Sequence, residues 1–156
     1  MKKTPDRIAS FSVNHDEITE GIYVSRIDGD IVTYDMRTRV PNRGAYMDNL
    51  TMHSFEHMFA TFIRGGSIGE SVIYFGPMGC QTGFYLLVRG LDNTTVLTAV
   101  KEALVNICDY EGEMFGGTRE ECGNYKNLDL TAAKIEARRY LQKLSQKEND
   151  FTYGGK

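Results

Sequence analysis

The sequence predicts an α+β fold: an antiparallel sheet of about four strands with helices packed on one face, in a single domain. Three observations lead there. Two strand-like runs, 21–27 and 31–40, flank Asp28-Gly29-Asp30, a hairpin turn that makes antiparallel pairing the natural start. Two further apolar runs are short enough to be strands. Three longer segments repeat apolar residues at helical spacing, and the two kinds of element do not alternate regularly as they would in a parallel βαβ chain.

In chain order, residues 1 to about 19 lack periodicity and read as irregular. The runs at 21–27 and 31–40 are rich in β-branched and aromatic residues. Pro41-Asn42-Arg43-Gly44 breaks the second of them. A helix over 51–64 follows, with Met52, Phe55, Phe59, Phe62 and Ile63 as its apolar face and Gly65-Gly66 as its stop. Residues 71–75 form a third strand, 76–80 a tight turn, and 84–88 a fourth strand. A helix over 93–109 repeats Val96, Val100, Ala103, Leu104 and Ile107. A glycine-rich loop holds 111–127. The last helix, 130–147, turns Ala133, Ala137, Tyr140, Leu141 and Leu144 inward, and the polar tail at 149–156 is expected to fray.

Composition narrows the function classes. A chain of 156 residues is long enough for one real core. The net charge of -3, with no Lys/Arg run, gives no support to nucleic-acid binding. No apolar stretch is long enough for a bilayer, and no signal core follows the charged N-terminus. Three widely spaced cysteines argue against a disulfide framework and for free thiols in a reducing cytoplasm.

The chemistry concentrates in His53-Ser54-Phe55-Glu56-His57. On a helix, His53 and His57 stand one turn apart and point the same way. Two imidazoles at that spacing grip a divalent ion. Glu56 is close enough to move protons there without binding. Cys122, in the loop between helices, makes a three-ligand site that leaves a position open, as catalytic metal sites do. The competing explanation is two ordinary surface or core histidines. Cys80 lies in the turn Gly76-Pro77-Met78-Gly79-Cys80, where exposed backbone amides favour a thiolate, itself a base and a nucleophile; a buried structural cysteine is the alternative. Cys108 extends the apolar face of its helix and carries no function. His15 alone carries no signal. Asp35, Arg37 and Arg39 alternate along a strand and share one face, which periodicity alone reads as a solvated surface.

Taken in order, His-x-x-Glu-His, Pro-Met-Gly-Cys-Gln-Thr-Gly-Phe-Tyr and Glu-Cys-Gly-Asn-Tyr make the chain resemble the S-ribosylhomocysteine lyase (LuxS) family over nearly its whole length. Ser10-Phe11, His15, Tyr34-Asp35-x-Arg37 and Pro41-Asn42 extend the match. The resemblance implies a small homodimer with active sites at the subunit interface. It implies a metal on His53, His57 and Cys122, natively Fe(II), with Zn or Co able to replace it. Cys80 and Glu56 would transfer protons, and Ser10, His15, Asp35, Arg37 and Arg64 would shape the pocket for S-ribosylhomocysteine. Arg37 either holds Cys80 ionised or binds substrate. The implied products are homocysteine and 4,5-dihydroxypentane-2,3-dione, the autoinducer-2 precursor.

One departure stands out. Many members carry Asp-x-Ser before Pro-Met-Gly-Cys, where this chain has Tyr74-Phe75-Gly76, so the roles of those side chains do not transfer. Two rival readings stay open from sequence. In a zinc peptidase of the His-x-x-Glu-His type, Glu120 or Glu121 would be the third ligand. In a non-enzymatic binding module, a closed structural site would recruit Cys80 as the fourth.

Overall fold

A computed structural model describes residues 3–154. Four strands form one sheet in the order β1-β2-β4-β3, with every neighbouring pair antiparallel. They are β1 (Gly21–Asp28), β2 (Ile31–Arg37), β3 (Val72–Pro77) and β4 (Gly83–Arg89). Three helices, α1 (Asn49–Gly65), α2 (Asn93–Asp109) and α3 (Leu130–Ser145), pack on one another and on the sheet. The α+β expectation holds. No helix among the described residues is long and apolar enough to cross a membrane.

The boundaries shift where local chemistry was not visible in the pattern. Strand β2 ends at Arg37 rather than at 40, because Thr38 and Arg39 both donate their N–H to Thr82 O as the chain turns. Strand β3 keeps Gly76 and Pro77, which sequence placed in the turn. Each helix begins on an aspartate cap. The side chains of Asp48, Asp92 and Asp129 accept from the backbone N–H of Thr51, Thr95 and Thr131. Helix α1 ends at the glycine pair, with Gly66 extended rather than left-handed.

A cluster of phenylalanines sets the rotation of α1. Phe55 and Phe59 meet Phe75 of β3 and Phe84 of β4, with ring centroids 4.5 Å apart for Phe59–Phe75 and 4.8 Å for Phe55–Phe84. All four are buried. His53 and His57 precede Phe55 and Phe59 by two residues each, about 200° around the helix. Burying the phenylalanines on the sheet therefore turns both imidazoles away from it, toward the 110–129 loop.

On β2, Tyr34 and Met36 face the helices as part of the core, so Asp35 and Arg37 face the other side of the sheet. That face is not solvated, contrary to the periodicity reading. Asp35 and Arg37 are buried against each other, while Arg39, past the strand end, instead clamps Glu136 of α3 at 2.6 and 3.0 Å.

Part of the tail expected to fray, 149–156, packs against β1. Val24 donates its N–H to Phe151 O at 2.8 Å, and Phe151 makes a parallel bridge with Tyr23 and is buried. Tyr153 stacks on Tyr23 with centroids 4.9 Å apart. Two aromatic rings in a short polar stretch supply enough apolar area to hold it down. Gly155 and Lys156, also within the expected frayed tail, lie outside the described residues.

Candidate metal centre and thiol network

The 110–129 loop has no helix or strand, yet its backbone is pinned to α1. Asp129 donates its N–H to the buried Ser54 hydroxyl at 2.8 Å, and the Asn127 side chain donates to Asn49. Phe115 packs against Phe62 and Tyr110 at 5.3 and 4.7 Å between centroids. This anchoring delivers two carbonyls to the two imidazoles. His53 Nδ1 lies 2.9 Å from Asn127 O, and His57 Nδ1 lies 2.9 Å from Phe115 O. A backbone carbonyl only accepts, so each Nδ1 carries the proton and each Nε2 presents a lone pair. The Asn127 amide nitrogen is also 3.3 Å from His53 Nδ1, but that contact is longer and the amide already donates to Asn49.

Cys122 comes over the same spot. Ligand atoms of His53, His57 and Cys122 all lie within 4.8 Å of one another, and Cys122 Sγ is 3.5 Å from His53 Nε2. A thiolate and an imidazole on one tetrahedral zinc-like ion stand about 3.5 Å apart, given metal–ligand distances of ~2.3 and ~2.0 Å. The Asn124 N–H points at Cys122 Sγ from 3.4 Å. Donor type, tautomer and spacing all fit a divalent ion held by three protein ligands. Neither Glu120 nor Glu121 is in this group, and Glu121 accepts from the Thr118 hydroxyl. That removes the peptidase's third ligand. Cys80 is not in the group either, so the closed four-ligand site of a structural clip is not formed.

Glu56 is half-buried beside the triad. With His57, Ala60, Thr61, Phe115 and Gly116 it lines a cavity of about 250 Å³. Sequence reasoning passed over Gly116. Its φ is +64°, and a Cβ there would stand 2.9 Å from His57 Nδ1. The glycine is needed both for the backbone turn and for the close approach of the loop to the imidazole. The Gly116-Gly117 pair was the available signal.

A second cluster gathers around Cys80, which is exposed in the turn after β3 rather than buried. The turn is closed by Gln81 N–H to Met78 O, with Gln81 at φ +65°, a left-handed conformation costly for a side chain-bearing residue. Gln81 is held there by its backbone and side-chain amide contacts with Met47, just before α1. Cys80 Sγ is 3.0 Å from Thr82 Oγ1 and 3.9 Å from Arg37 Nη1, which also donates to Thr82 Oγ1 at 2.8 Å. Arg37 forks onto Asp35 at 2.6 and 3.0 Å. Burial works against the Arg37 charge, but the Asp35 carboxylate outweighs it and holds the guanidinium charged above its ordinary value.

The other pocket residues expected from resemblance divide. Ser10 is half-buried in a short 3-10 turn, and the Tyr85 hydroxyl of β4 lies in the field of Asp35, Arg37 and Cys80. His15 is half-buried in the next such turn, its Nδ1 2.9 Å from Val13 O. Arg64 stands apart at the end of α1, donating to Val72 O and Ile73 O at 3.3 and 3.1 Å, where β3 bulges. In the departing segment, a Cβ on Gly76 would meet the tip of the exposed Tyr74 side chain in its present rotamer. Cys108 is half-buried against the core, and burial pushes its thiol up, which leaves it inert.

The chain is 41% identical over 151 residues to an S-ribosylhomocysteine lyase of Finegoldia magna, covering 92% of this chain and 96% of that protein. An S-ribosylhomocysteine lyase of Clostridium acetobutylicum is 38% identical over 93% and 96% of the two chains. One from Borreliella afzelii is 36% identical over 94% and 98%. Residues 8–151 match the family model described as S-Ribosylhomocysteinase (LuxS), a span that takes in the metal triad, Glu56, and the Cys80 turn with Asp35 and Arg37. The chain belongs to the S-ribosylhomocysteinase (LuxS) family.

Proposed function

We propose that this protein is an S-ribosylhomocysteine lyase, a carbon–sulfur lyase that converts S-ribosylhomocysteine to homocysteine and 4,5-dihydroxypentane-2,3-dione. The observation that carries the reading is the convergence of His53 Nε2, His57 Nε2 and Cys122 Sγ beside Glu56, in a chain of this family. These three atoms would hold the metal. When bound, it supplies Lewis-acid stabilisation of the negative charge that develops as the sugar carbonyl migrates. A site with two imidazoles and a thiolate suits Fe(II) as well as Zn or Co, and Fe(II) is the proposed native ion.

The thioether at C5 of the ribose has no electron sink beside it, so direct cleavage is slow. Moving the carbonyl from C1 to C2 and then to C3 creates one. Each shift removes a proton from one carbon and returns one to its neighbour, which requires positioned acid–base groups. The Cys80 thiolate and the Glu56 carboxylate are those groups. Loss of the C4 proton then expels the homocysteine thiolate, and the resulting enol takes a solvent-derived proton at C5 to become a methyl group. The Arg37 guanidinium, held charged by Asp35, lies 3.9 Å from the Cys80 sulfur. Ser10, His15 and Asp35 complete the proposed pocket, and Arg64, which stands apart in the single chain, is proposed to join it in the dimer.

The working unit is a single-domain cytoplasmic homodimer with its sites at the subunit interface. Three features support this. The metal triad and the Cys80 cluster are separate groups within one chain. Ile8 and Phe11, flanking Ser10, are exposed apolar side chains. All three cysteines are free.

Free-thiol release from S-ribosylhomocysteine by anaerobically purified, Fe(II)-loaded protein tests the assignment. Release by the wild type, and loss of release in Cys80→Ala and Glu56→Gln with metal retained, is the expected pattern. No release by well-folded, metal-loaded wild type rejects the lyase function.

A further inference from the structure

The C-terminal tail reaches the Cys80 cluster through one hydroxyl. Tyr153 Oη donates to Asp35 Oδ2 at 2.7 Å, and the same oxygen accepts from Arg37 Nη2 at 2.6 Å. Arg37 in turn contacts both Thr82 Oγ1 and Cys80 Sγ. A continuous chain of polar contacts therefore runs from the tail, through a buried ion pair, to the thiol. Asp35 and Arg37 are 1% and 2% exposed. An ion pair removed from water depends on further hydrogen bonds to be tolerated, and the Tyr153 hydroxyl supplies one. The tail is placed for this by contacts of its own: the Phe151 bridge to β1, and the stacking of Tyr153 on Tyr23.

We propose that Tyr153 is a positioning residue for the Cys80 thiol. By donating to Asp35, it absorbs part of the carboxylate's charge and leaves more of the Arg37 field directed at Cys80. The inference rests on the proton-transfer role proposed for Cys80. The charged and titratable groups gathered there are Asp35 and Arg37 from β2, Tyr85 from β4, Tyr23 from β1, Tyr140 from α3, and Tyr153. Burial, and then the charge of Asp35, raise the Tyr153 phenol well above its ordinary value, so the hydroxyl remains a donor at any working pH. Without it, Asp35 offsets Arg37 more fully, and the thiolate is less favoured.

Tyr153→Phe keeps the ring stacked on Tyr23 and removes only the hydroxyl. Alkylation of Cys80 in metal-loaded protein by iodoacetamide, followed by mass spectrometry of the Cys80 peptide, reads the thiolate directly. The expected rate for the variant is about threefold below wild type at pH 7 and equal to wild type at pH 10, above the ordinary range of a thiol. Turnover should show a matching drop in kcat with KM and metal content unchanged. Equal rates at pH 7, a faster variant, or the same slowing at both pH values overturns the proposal, since the last is what a change in access alone would give. Absence of wild-type turnover would count against the lyase reading, while the alkylation comparison would still decide the role of Tyr153.

Discussion

The two reactive clusters are built in opposite ways. The metal triad sits on a regular helix whose rotation is set by Phe55 and Phe59, and its second layer is neutral: two backbone carbonyls on two imidazole N–H groups. The Cys80 cluster sits in a strained turn over a buried pair of full charges, closed by a tail that returns from the far end of the chain. Geometry governs the first and electrostatics the second. Changes to the first should therefore register as metal binding with little cost in stability. Changes to the second should register as stability and proton chemistry with little cost in metal.

The largest effect should come from the ligands. Cys122→Ala or His57→Ala should lose bound metal and lower thiol release by on the order of 10³-fold. The melting temperature should move little, because the phenylalanine cluster lies on the other side of α1. Metal analysis with calorimetry checks this, and unfolding on metal loss would break the contrast.

Arg37→Met comes next. It leaves the Asp35 carboxylate buried without its counter-charge, at a cost of about 3–5 kcal/mol. Denaturant unfolding should show that loss, and the double change Asp35→Leu/Arg37→Met should recover much of it while leaving activity low. Metal content should stay at the wild-type level in both. A single variant as stable as wild type would show that the pair is not the electrostatic centre of this half.

Gly116→Ala probes the neutral layer. A Cβ 2.9 Å from His57 Nδ1, at a left-handed position, pushes the loop carbonyl off the imidazole. Metal affinity should fall by about 10–100-fold, the usual penalty for disturbing a ligand's supporting hydrogen bond. Competition with a chelator measures it.

The smallest effect belongs to the cap of α1. Asp48→Ala should cost about 1 kcal/mol. Hydrogen bonds from the Thr51 side chain and backbone N–H hold the Asp48 carboxyl below its ordinary value. A depressed folded value means that the contribution is complete above the unfolded carboxyl's range and is lost as pH falls through the folded one. The stability difference between variant and wild type should therefore be present near neutrality and close in acid. A difference that persists unchanged at low pH would remove the charged cap as its cause.

The same contrast explains what could be read in advance. Strand and helix periods carried most of the fold, and one helical turn of spacing carried the histidine pair, because both are local repeats. Cys122 was legible as a lone thiol in a loop. The carbonyls of Phe115 and Asn127 were not, since any residue supplies a carbonyl and only the folded loop aims it. Asp35 and Arg37 looked solvated because alternation says which residues share a face, not what covers it. Here the cover includes Tyr153, more than a hundred residues away. Its tail looked polar because two aromatic anchors are too few to make a pattern.

Carbon–sulfur cleavage should follow carbonyl migration and elimination. Running S-ribosylhomocysteine with Fe(II)-loaded enzyme in deuterium oxide, and weighing both products, tests it directly. Homocysteine together with 4,5-dihydroxypentane-2,3-dione that carries deuterium in its methyl group is the expected result. Homocysteine accompanied by unlabelled ribose would mean simple hydrolysis, without carbonyl migration or elimination.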